Sequence, residues 1–298
     1  MNKALFFTPA VTAFDSCGNI DVQANKNIYD HLINGGIDGI VLMGSTGEFF
    51  AMTEKQKLEL IDLAVNHIEH RVKLYVGTGC MTVADTVKLS EYALNAGADG
   101  VMIISPYYFA LTDESIEYFY DQVASQIKGD IFIYNYPDRT GHDVSPEITY
   151  RLLKKHKNIT GYKDTVTDMT HTLKLISTVM EEFPNFKVFS GFEEYFALNV
   201  ISGGAGCIGG LANLYPDMFS QWANAINTFD AEKISEIQKK VNKYSELYAI
   251  GKPFISIMKK AMELHGIEMD GYCIAPILQA NGVQTEQIRN LMTQIENM

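Results

Sequence analysis

The sequence has few basic residues and no long apolar run, and each shortage excludes a class of protein. Its 24 Lys and Arg residues stand against 36 Asp and Glu residues. The resulting net charge of −12 argues against nucleic acid or an anionic membrane as a partner. No apolar run approaches the roughly 20 residues that span a bilayer. The opening Met1-Asn2-Lys3, with Pro9 close behind, is too short for a secretory signal.

Cysteine is also scarce, and the histidines lack the spacing of metal ligands. The four cysteines, Cys17, Cys80, Cys207 and Cys273, are far apart and form no C-x-x-C pair, so we expect buried thiols in a reducing compartment. The predicted location is therefore the cytoplasm. The seven histidines include no H-x-x-x-H pair, and no catalytic metal is expected.

Short apolar, β-branched runs alternate with helical stretches along most of the chain. Several of the helical stretches begin with a capping residue and an acidic first turn, as at Thr53, Thr82, Thr112 and Ser145. The predicted strands are 5–11, 39–43, 73–77, 100–105, 130–135, 159–163, 187–190 and 205–209.

Eight strands alternating with helices predict an α/β protein with a parallel sheet, and eight strands close a (β/α)8 TIM barrel. An open, doubly wound sheet is the alternative. It would require a glycine-rich turn after the first strand, where residues 8–12 read TPAVT. We therefore predict the barrel.

Strand signals stop after about residue 229, and no Pro/Gly/Ser-rich linker follows. Three helical stretches remain, at 230–249, 253–265 and 284–297. We predict a barrel catalytic domain over residues 1–229 and a C-terminal helical extension over 230–298, packed on the barrel.

Lys163 is the most informative residue of the chain, because it ends an apolar strand where barrels place their active sites. Burial there would disfavour the ammonium form and lower the pKa of the side chain. A neutral amine can attack a ketone and form a Schiff base. Tyr134 lies near the end of the preceding strand, and its phenol could shuttle the protons that this chemistry requires. The alternatives are a hydrated surface lysine and an ordinary strand tyrosine.

Other strand ends carry polar residues that each allow two interpretations. Residues 44–48 (GSTGE) could cradle a carboxylate with backbone N–H groups or form only a tight turn, and Glu48 is interpreted as structural. Arg139 is a carboxylate clamp or a surface arginine. Glu193 and Glu194 accept hydrogen bonds from a polyol or stabilise the start of a helix. The glycines of 203–210 favour close packing over a phosphate site, since no Lys or Arg lies among them.

Three segments together resemble the dihydrodipicolinate synthase/N-acetylneuraminate lyase family. They are residues 44–48 (GSTGE), 134–137 (YNYP) and 161–164 (GYKD), in the order and spacing of that family. The resemblance covers essentially the whole chain. It implies a class I aldolase on a (β/α)8 barrel, assembled as a homotetramer, with no cofactor other than the covalent imine between lysine and pyruvate.

The resemblance also implies roles for individual residues. Lys163 matches the pyruvate-binding lysine and Tyr134 the proton-shuttling tyrosine. Ser45 matches a proton-relaying hydroxyl, Thr46 the residue that holds the pyruvate carboxylate, and Tyr108 a tyrosine inserted into the neighbouring subunit's site. The other predicted substrate-binding residues are Gly44, Arg139, Glu193, Glu194, Ile208 and Gly210.

The features that select the aldehyde are mixed. Arg139 is similar to the arginine with which synthases bind aspartate semialdehyde. Ser45 and the sequence of residues 191–194 (GFEE) are closer to sialic acid lyases, although Gly210 stands where lyases have a sugar-binding serine. We predict an aldolase that joins or separates pyruvate and an acidic or polyhydroxylated aldehyde. Dihydrodipicolinate synthase is the alternative. A keto-deoxy sugar acid dehydratase or an N-acetylneuraminate lyase is the third candidate, and a catalytically silent keto-acid-binding relative is a fourth.

Overall fold

The structure is a computed structural model and describes residues 3–297. Within that range eight parallel strands close into a barrel, and neighbouring strands follow the order of the chain. The strands are β1 (Leu5–Pro9), β2 (Gly39–Leu42), β3 (Lys73–Gly77), β4 (Gly100–Ile104), β5 (Asp130–Asn135), β6 (Ile159–Asp164), β7 (Lys187–Ser190) and β8 (Gly206–Ile208). The predicted (β/α)8 barrel is confirmed.

Helices separate the strands and continue after the last one. Among the described residues, no helix is long and apolar enough to cross a membrane. The helices are α1 (Val22–Asn34), α2 (Glu54–Ile68), α3 (Val83–Ala96), α4 (Asp113–Gln126), α5 (Pro137–Thr140), α6 (Pro146–Lys155), α7 (Met169–Val179), α8 (Phe196–Ile201), α9 (Pro216–Thr228), α10 (Ala231–Tyr244), α11 (Leu247–Ile250), α12 (Ile255–Leu264) and α13 (Gly282–Glu296).

Side-chain caps set where the helices begin. The hydroxyls of Thr53, Thr82, Thr112 and Ser145 each accept a backbone N–H from the first turn of the helix that follows. Such caps satisfy N–H groups that have no partner within the helix. The predicted helix at 230–249 is divided into α10 and α11.

Two strand ends differ from the prediction for identifiable reasons. Strand β1 stops at Pro9 rather than at Val11, because the Val11 N–H donates to the Asn213 side chain at 3.1 Å and leaves the ladder. Strand β2 stops at Leu42, because Met43 has a φ of 51°, a left-handed conformation that strands do not adopt.

The described residues fall into two compact units. The first contains Leu74–Gly209 together with the chain up to Leu5, and the second contains Phe6–Lys73 together with the chain from Gly210 onward. In the first unit, β4, β5, β6 and β7 pair in order, and nearly all of their residues are buried, on both faces. Burial on both faces is typical of parallel strands covered by helices.

The second unit contains β1, β2 and the C-terminal helices. Strands β1 and β2 pair in register, with Phe7 opposite Gly39. Helix α13 packs against α10, α11 and α12. The predicted domain boundary at residue 229 stays a prediction.

Candidate active site

Lys163 and Tyr134 lie beside each other near the carboxyl ends of β6 and β5. The two residues are partners in the register of these strands. The Lys163 Nζ lies 4.3 Å from the centroid of the Tyr134 ring. Lys163 is 5% exposed and Tyr134 is 3% exposed. A buried amine next to a phenol combines a nucleophile with a group that can move protons.

Thr165 is a candidate that the sequence did not single out. Its N–H donates to the Asn135 carbonyl, so the strand alternation continues and places Thr165 on the same face as Lys163. Its hydroxyl is buried and has no hydrogen-bond partner among the described residues. A Cβ at Gly191 would overlap that hydroxyl, so Gly191 leaves room for it. Buried polar groups are nearly always hydrogen-bonded, so the unpartnered hydroxyl makes Thr165 a candidate substrate-binding residue.

The loop after β5 carries Arg139 at the surface. Arg139 lies in α5 and is exposed, and its guanidinium is 5.5 Å from the centroid of the Tyr136 ring. Burial raises the pKa of Tyr136, and the nearby Arg139 opposes this shift. Because Arg139 is exposed, its guanidinium is accessible to a carboxylate.

The loop after β4 carries Tyr108 and is held by a buried histidine. His142 Nδ1 accepts the Leu111 N–H at 3.1 Å, and His142 Nε2 lies 2.8 Å from the Ser105 hydroxyl. Burial lowers the pKa of His142, in keeping with a neutral ring that accepts at one nitrogen. Tyr108 is 79% exposed and packs edge-to-face on Phe109, which is 72% exposed.

A polar network lies directly behind Lys163 and Tyr134. Asn135 Nδ2 donates to Asp164 at 3.0 Å and to Asp143 at 2.7 Å. His171 bonds to both carboxylates, to Asp164 through Nδ1 at 2.8 Å and to Asp143 through Nε2 at 3.1 Å. Thr172 donates its hydroxyl to Asp164 at 2.7 Å.

The predicted acidic residues lie just after β7. Glu193 is buried, Glu194 is half-buried, and both belong to a short 3-10 turn before α8. A Cβ at Gly209 would come within 2.5 Å of the Glu193 side chain, so this glycine makes room for the carboxylate. Ile208, at the end of β8, is fully buried.

In the second unit, Gly44, Ser45 and Thr46 form the turn that follows β2. Residues Ser45–Gly47 make one turn of 3-10 helix, with Thr46 buried and Ser45 half-buried. The Thr12 hydroxyl donates to the Gly47 carbonyl at 2.9 Å and holds the turn from the segment that follows β1. Glu48 ends the turn in the left-handed region, with a φ of 58°.

Gly210 lies beside Thr46 and beside Tyr248, which the sequence did not single out. A Cβ at Gly210 would be 3.9 Å from the Thr46 hydroxyl and 2.9 Å from the Tyr248 hydroxyl. The phenol of Tyr248 thus occupies the space next to the position where lyases have a serine. The local sequence gave no sign of this, because Tyr248 comes from α11.

Glu48 and Lys259 are paired in the interior of the second unit. Both side chains are fully buried, and they form an ion pair. Lys259 also donates to the Tyr272 carbonyl at 2.7 Å. The interpretation of Glu48 as a structural residue fits these contacts. Lys259 itself was overlooked, although it lies four residues after Ile255 on the apolar face of α12.

Comparisons with known proteins identify the chain's relatives. The model of the dihydrodipicolinate synthetase family matches residues 3–295. The probable 2-dehydro-3-deoxy-D-pentonate aldolase YjhH of Escherichia coli (strain K12) is 33% identical over 285 residues, 96% of this chain and 95% of that protein. The 4-hydroxy-tetrahydrodipicolinate synthase of Kosmotoga olearia is 33% identical over 222 residues, 74% of this chain and 75% of that protein.

A solved structure is also close to this chain. YagE of E. coli K12, named a putative 2-dehydro-3-deoxy-D-gluconate aldolase, is 28% identical over 300 residues, 99% of each protein. Its crystal structure in complex with pyruvate has a TM-score of 0.96 to this chain and covers 98% of each.

Proposed function

The chain belongs to the dihydrodipicolinate synthetase family, and from that premise we propose that it is an aldolase acting on a 2-keto-3-deoxy sugar acid. The predicted carbon–carbon lyase class is confirmed by this membership. The observation that carries the proposal is the buried amine of Lys163, 4.3 Å from the Tyr134 ring centroid at the carboxyl ends of adjacent strands.

The proposed reaction uses Lys163 as the nucleophile. Its amine attacks C2 of the keto acid, and loss of water from the carbinolamine leaves an iminium. When the C4 hydroxyl loses its proton, the C3–C4 bond breaks, and its electron pair moves into the iminium to give an enamine. An aldehyde leaves, a proton adds to C3, and hydrolysis returns pyruvate and the free amine. Tyr134 moves protons at these stages, and no dissociable cofactor takes part.

The remaining roles are assigned on the resemblance and on local chemistry. We assign Thr46 and the N–H groups after Gly44 to the keto-acid carboxylate, and Ser45 to proton transfer. Glu193 and Glu194 suit the hydroxyls of the aldehyde portion, and Ile208 and Gly210 are assigned to substrate binding on the resemblance alone. The buried, unsatisfied hydroxyl of Thr165 supports adding it to the substrate-binding residues.

The aldehyde follows from counting carbons in the relatives' names. A 2-dehydro-3-deoxypentonate divides into pyruvate and a two-carbon aldehyde, and the gluconate into pyruvate and a three-carbon aldehyde. YjhH and YagE carry these two names. We therefore propose glycolaldehyde or glyceraldehyde as the second product.

Trapping with borohydride tests the covalent step. Reduction in the presence of pyruvate is expected to add one reduced pyruvyl group, measured by intact mass and located on Lys163 by peptide mapping. Lys163→Ala should give no adduct. Lys187→Ala is the matched control, because Lys187 lies exposed at the start of the adjacent β7 and should leave the adduct unchanged. A wild-type protein that is not modified would leave the silent keto-acid-binding relative or another chemistry.

A synthase that condenses pyruvate with aspartate semialdehyde is the second candidate. The exposed guanidinium of Arg139 favours it, since it can reach an acidic aldehyde. A panel of aspartate semialdehyde, glycolaldehyde, glyceraldehyde, erythrose and N-acetylmannosamine decides between the candidates, and loss of water without cleavage would indicate a dehydratase. Arg139→Ala should raise KM for the acidic aldehyde and leave KM for the neutral aldehydes unchanged. Arg151→Ala is the control, because Arg151 pairs with Glu117 on the surface, and it should change KM for none of the aldehydes.

We further propose a cytoplasmic homotetramer. The four cysteines are free thiols, which suits a reducing compartment; Cys207 and Cys273 are buried as expected, whereas the prediction of burial is wrong for the exposed Cys17. The exposed rings of Tyr108 and Phe109 support an interface with a second copy, since large exposed aromatic side chains are enriched at such surfaces. A comparison of the sedimentation of the wild type with that of Tyr108→Ala tests whether Tyr108 contributes to assembly.

A further inference from the structure

Two neighbouring pairs of residues meet at the ends of β5 and β6. Tyr134 is opposite Lys163, and the next register pair is Asn135 opposite Asp164. Successive strand residues point to opposite faces, so Asn135 and Asp164 face the helices when Tyr134 and Lys163 face the barrel interior. The 3.0 Å hydrogen bond from Asn135 to Asp164 therefore fastens the two strands directly behind the amine and the phenol.

His171, on α7, connects the Asn135–Asp164 hydrogen bond to the rest of the polar network. Its two ring nitrogens contact two different carboxylates, those of Asp164 and Asp143. A ring with both nitrogens facing carboxylates donates twice, which requires the protonated imidazolium. Burial alone would lower the pKa of His171, but the hydrogen bonds to both carboxylates raise it to about 10.

Asp143 anchors the loop that follows Arg139 to the same network. It accepts from Asn135 and from His171, and these bonds hold its pKa below the usual value although burial acts in the opposite direction. The adjacent Val144 donates its N–H to Asn135 at 3.0 Å and accepts the Tyr162 hydroxyl. The loop after β5 and the ends of β5 and β6 are thus held as one unit.

The charges around His171 come from several elements. Besides the two carboxylates, the charged groups are Asp168 at the start of its own helix and the Glu147–Lys174 ion pair between α6 and α7. Tyr162 of β6 is a neutral phenol, because burial and the neighbouring carboxylates of Asp164 and Asp143 raise its pKa. Asp164 and Asp143 are the carboxylates within hydrogen-bond distance of the ring.

We propose that His171 is a positioning residue that sets the placement of Lys163 relative to Tyr134, by clamping Asp164 and Asp143 against Asn135. This inference rests on the proposed function, because the amine and phenol matter together only if the enzyme forms an imine. The ring bonds to Asp164, on the helix-facing side of β6, and so acts through that residue. Small displacements of reacting groups are costly, since a shift of about 1 Å can slow a reaction by about 100-fold.

The experiment separates imine formation from proton transfer. Exchange of the pyruvate methyl protons in D2O, followed by NMR, reports enamine formation and needs no aldehyde. His171→Gln should slow this exchange by about 10- to 100-fold at saturating pyruvate. The final yield of borohydride adduct should stay near that of the wild type. A slower exchange with an unchanged adduct yield would show that Lys163 and Tyr134 are misplaced relative to each other and that pyruvate still binds.

His156→Gln is the matched control. His156 follows α6 and bonds to Asp121 at 2.7 Å, so its replacement also removes a histidine–carboxylate pair joined to a helix. It precedes the amino end of β6 rather than the carboxyl end. With His156→Gln, the rate of exchange of the pyruvate methyl protons should stay within about twofold of the wild-type rate. If His171→Gln does not fold, Asp143→Asn takes its place, because Asp143 is partly exposed. It should slow the exchange of the pyruvate protons by the same factor.

The outcomes distinguish the two proposals. If the wild type is trapped and His171→Gln exchanges protons at the wild-type rate, the positioning role is wrong and the aldolase stands. Equal slowing in His171→Gln and His156→Gln would also overturn it, because the effect would then be a general loss of stability. If the wild type itself forms no adduct, both proposals fail.

Discussion

Glu48 and Lys259 form an ion pair from which solvent is fully excluded. Glu48 ends the turn after β2, and Lys259 lies on α12. The second carboxylate oxygen of Glu48 accepts the Ile274 N–H at 2.9 Å. The pair therefore fixes the turn that contains Thr46 to the segment between α12 and α13.

Removing one member of this pair should strongly destabilise the fold. Lys259→Met leaves a buried carboxylate without its counter-charge, and such a loss typically costs about 3–5 kcal/mol. Urea unfolding followed by circular dichroism measures this loss in the free energy of unfolding. Lys260→Met is the control, because Lys260 pairs with Glu263 at the surface and such pairs contribute about 1 kcal/mol or less. The double variant Glu48→Gln/Lys259→Met should recover part of the lost stability, because it also removes the unpaired charge. Equal unfolding midpoints for Lys259→Met and Lys260→Met would contradict the expectation.

The sequence was sufficient for the barrel and for the apposition of Lys163 and Tyr134. Alternating strands and helices place consecutive strands side by side, so two residues at their carboxyl ends must be neighbours. The residues that support the site were not predictable in this way. His171 and Asp143 meet across 28 positions of the chain, and Glu48 and Ile274 across 226. Local patterns carry no information about such pairs.

Single residues were missed for a related reason. Thr165 lies two residues after the end of the predicted strand 159–163, and only its hydrogen bond to Asn135 shows that it continues the ladder. Tyr248 lies in α11, within a stretch that the sequence predicts as one long helix. What distinguishes it is its approach to Gly210, which depends on tertiary packing.

Tyr134→Phe should impair turnover while leaving the fold intact. The ring stays packed beside Lys163, but the hydroxyl that would move protons is gone. Loss of general acid–base catalysis typically slows turnover by about 10²–10⁴-fold. The measurement is kcat for aldol cleavage, with melting temperature as the check on folding. Tyr136→Phe is the control, since its ring lies 6.1 Å from that of Tyr134 and it should retain most activity. Near-normal turnover in Tyr134→Phe would rule out its proton-transfer role.

The His171 cluster should make stability depend on pH in the alkaline range. The pKa of this histidine is about 10 in the folded protein, above the ordinary value of about 6.5. A raised pKa means that the folded state binds the proton more tightly. The stabilisation is therefore complete below about pH 6.5 and is lost as the pH rises through about 10.

His171→Gln provides the test of that dependence. The difference in melting temperature between wild type and variant should be largest near pH 6 and should shrink steadily towards pH 10. His156→Gln again serves as the matched variant at a second histidine–carboxylate pair. A difference that stays constant over this range would show that the ring contributes by packing alone.

Gly210→Ser introduces the side chain that sialic acid lyases carry at this position, and the structure predicts a conflict with Tyr248. A Cβ there would lie 2.9 Å from the Tyr248 hydroxyl, closer than real Cβ atoms approach their neighbours. Forcing extra atoms into a packed site costs about 1–3 kcal/mol, although a phenol at the end of a side chain can move aside. We expect a loss at the low end of that range in urea unfolding.

Tyr248→Phe should relieve the conflict, because it removes the atom that the serine would meet and keeps the ring against Phe254, 4.9 Å away between centroids. In a double-mutant cycle, the two changes together should cost less than the sum of the single changes. Additive costs would mean that the serine is accommodated without touching the phenol. If the double variant gains cleavage of N-acetylneuraminate while Tyr248→Phe alone does not, the serine supplies the missing sugar contact. The glycine would then account for the proposed preference for shorter keto-deoxy acids.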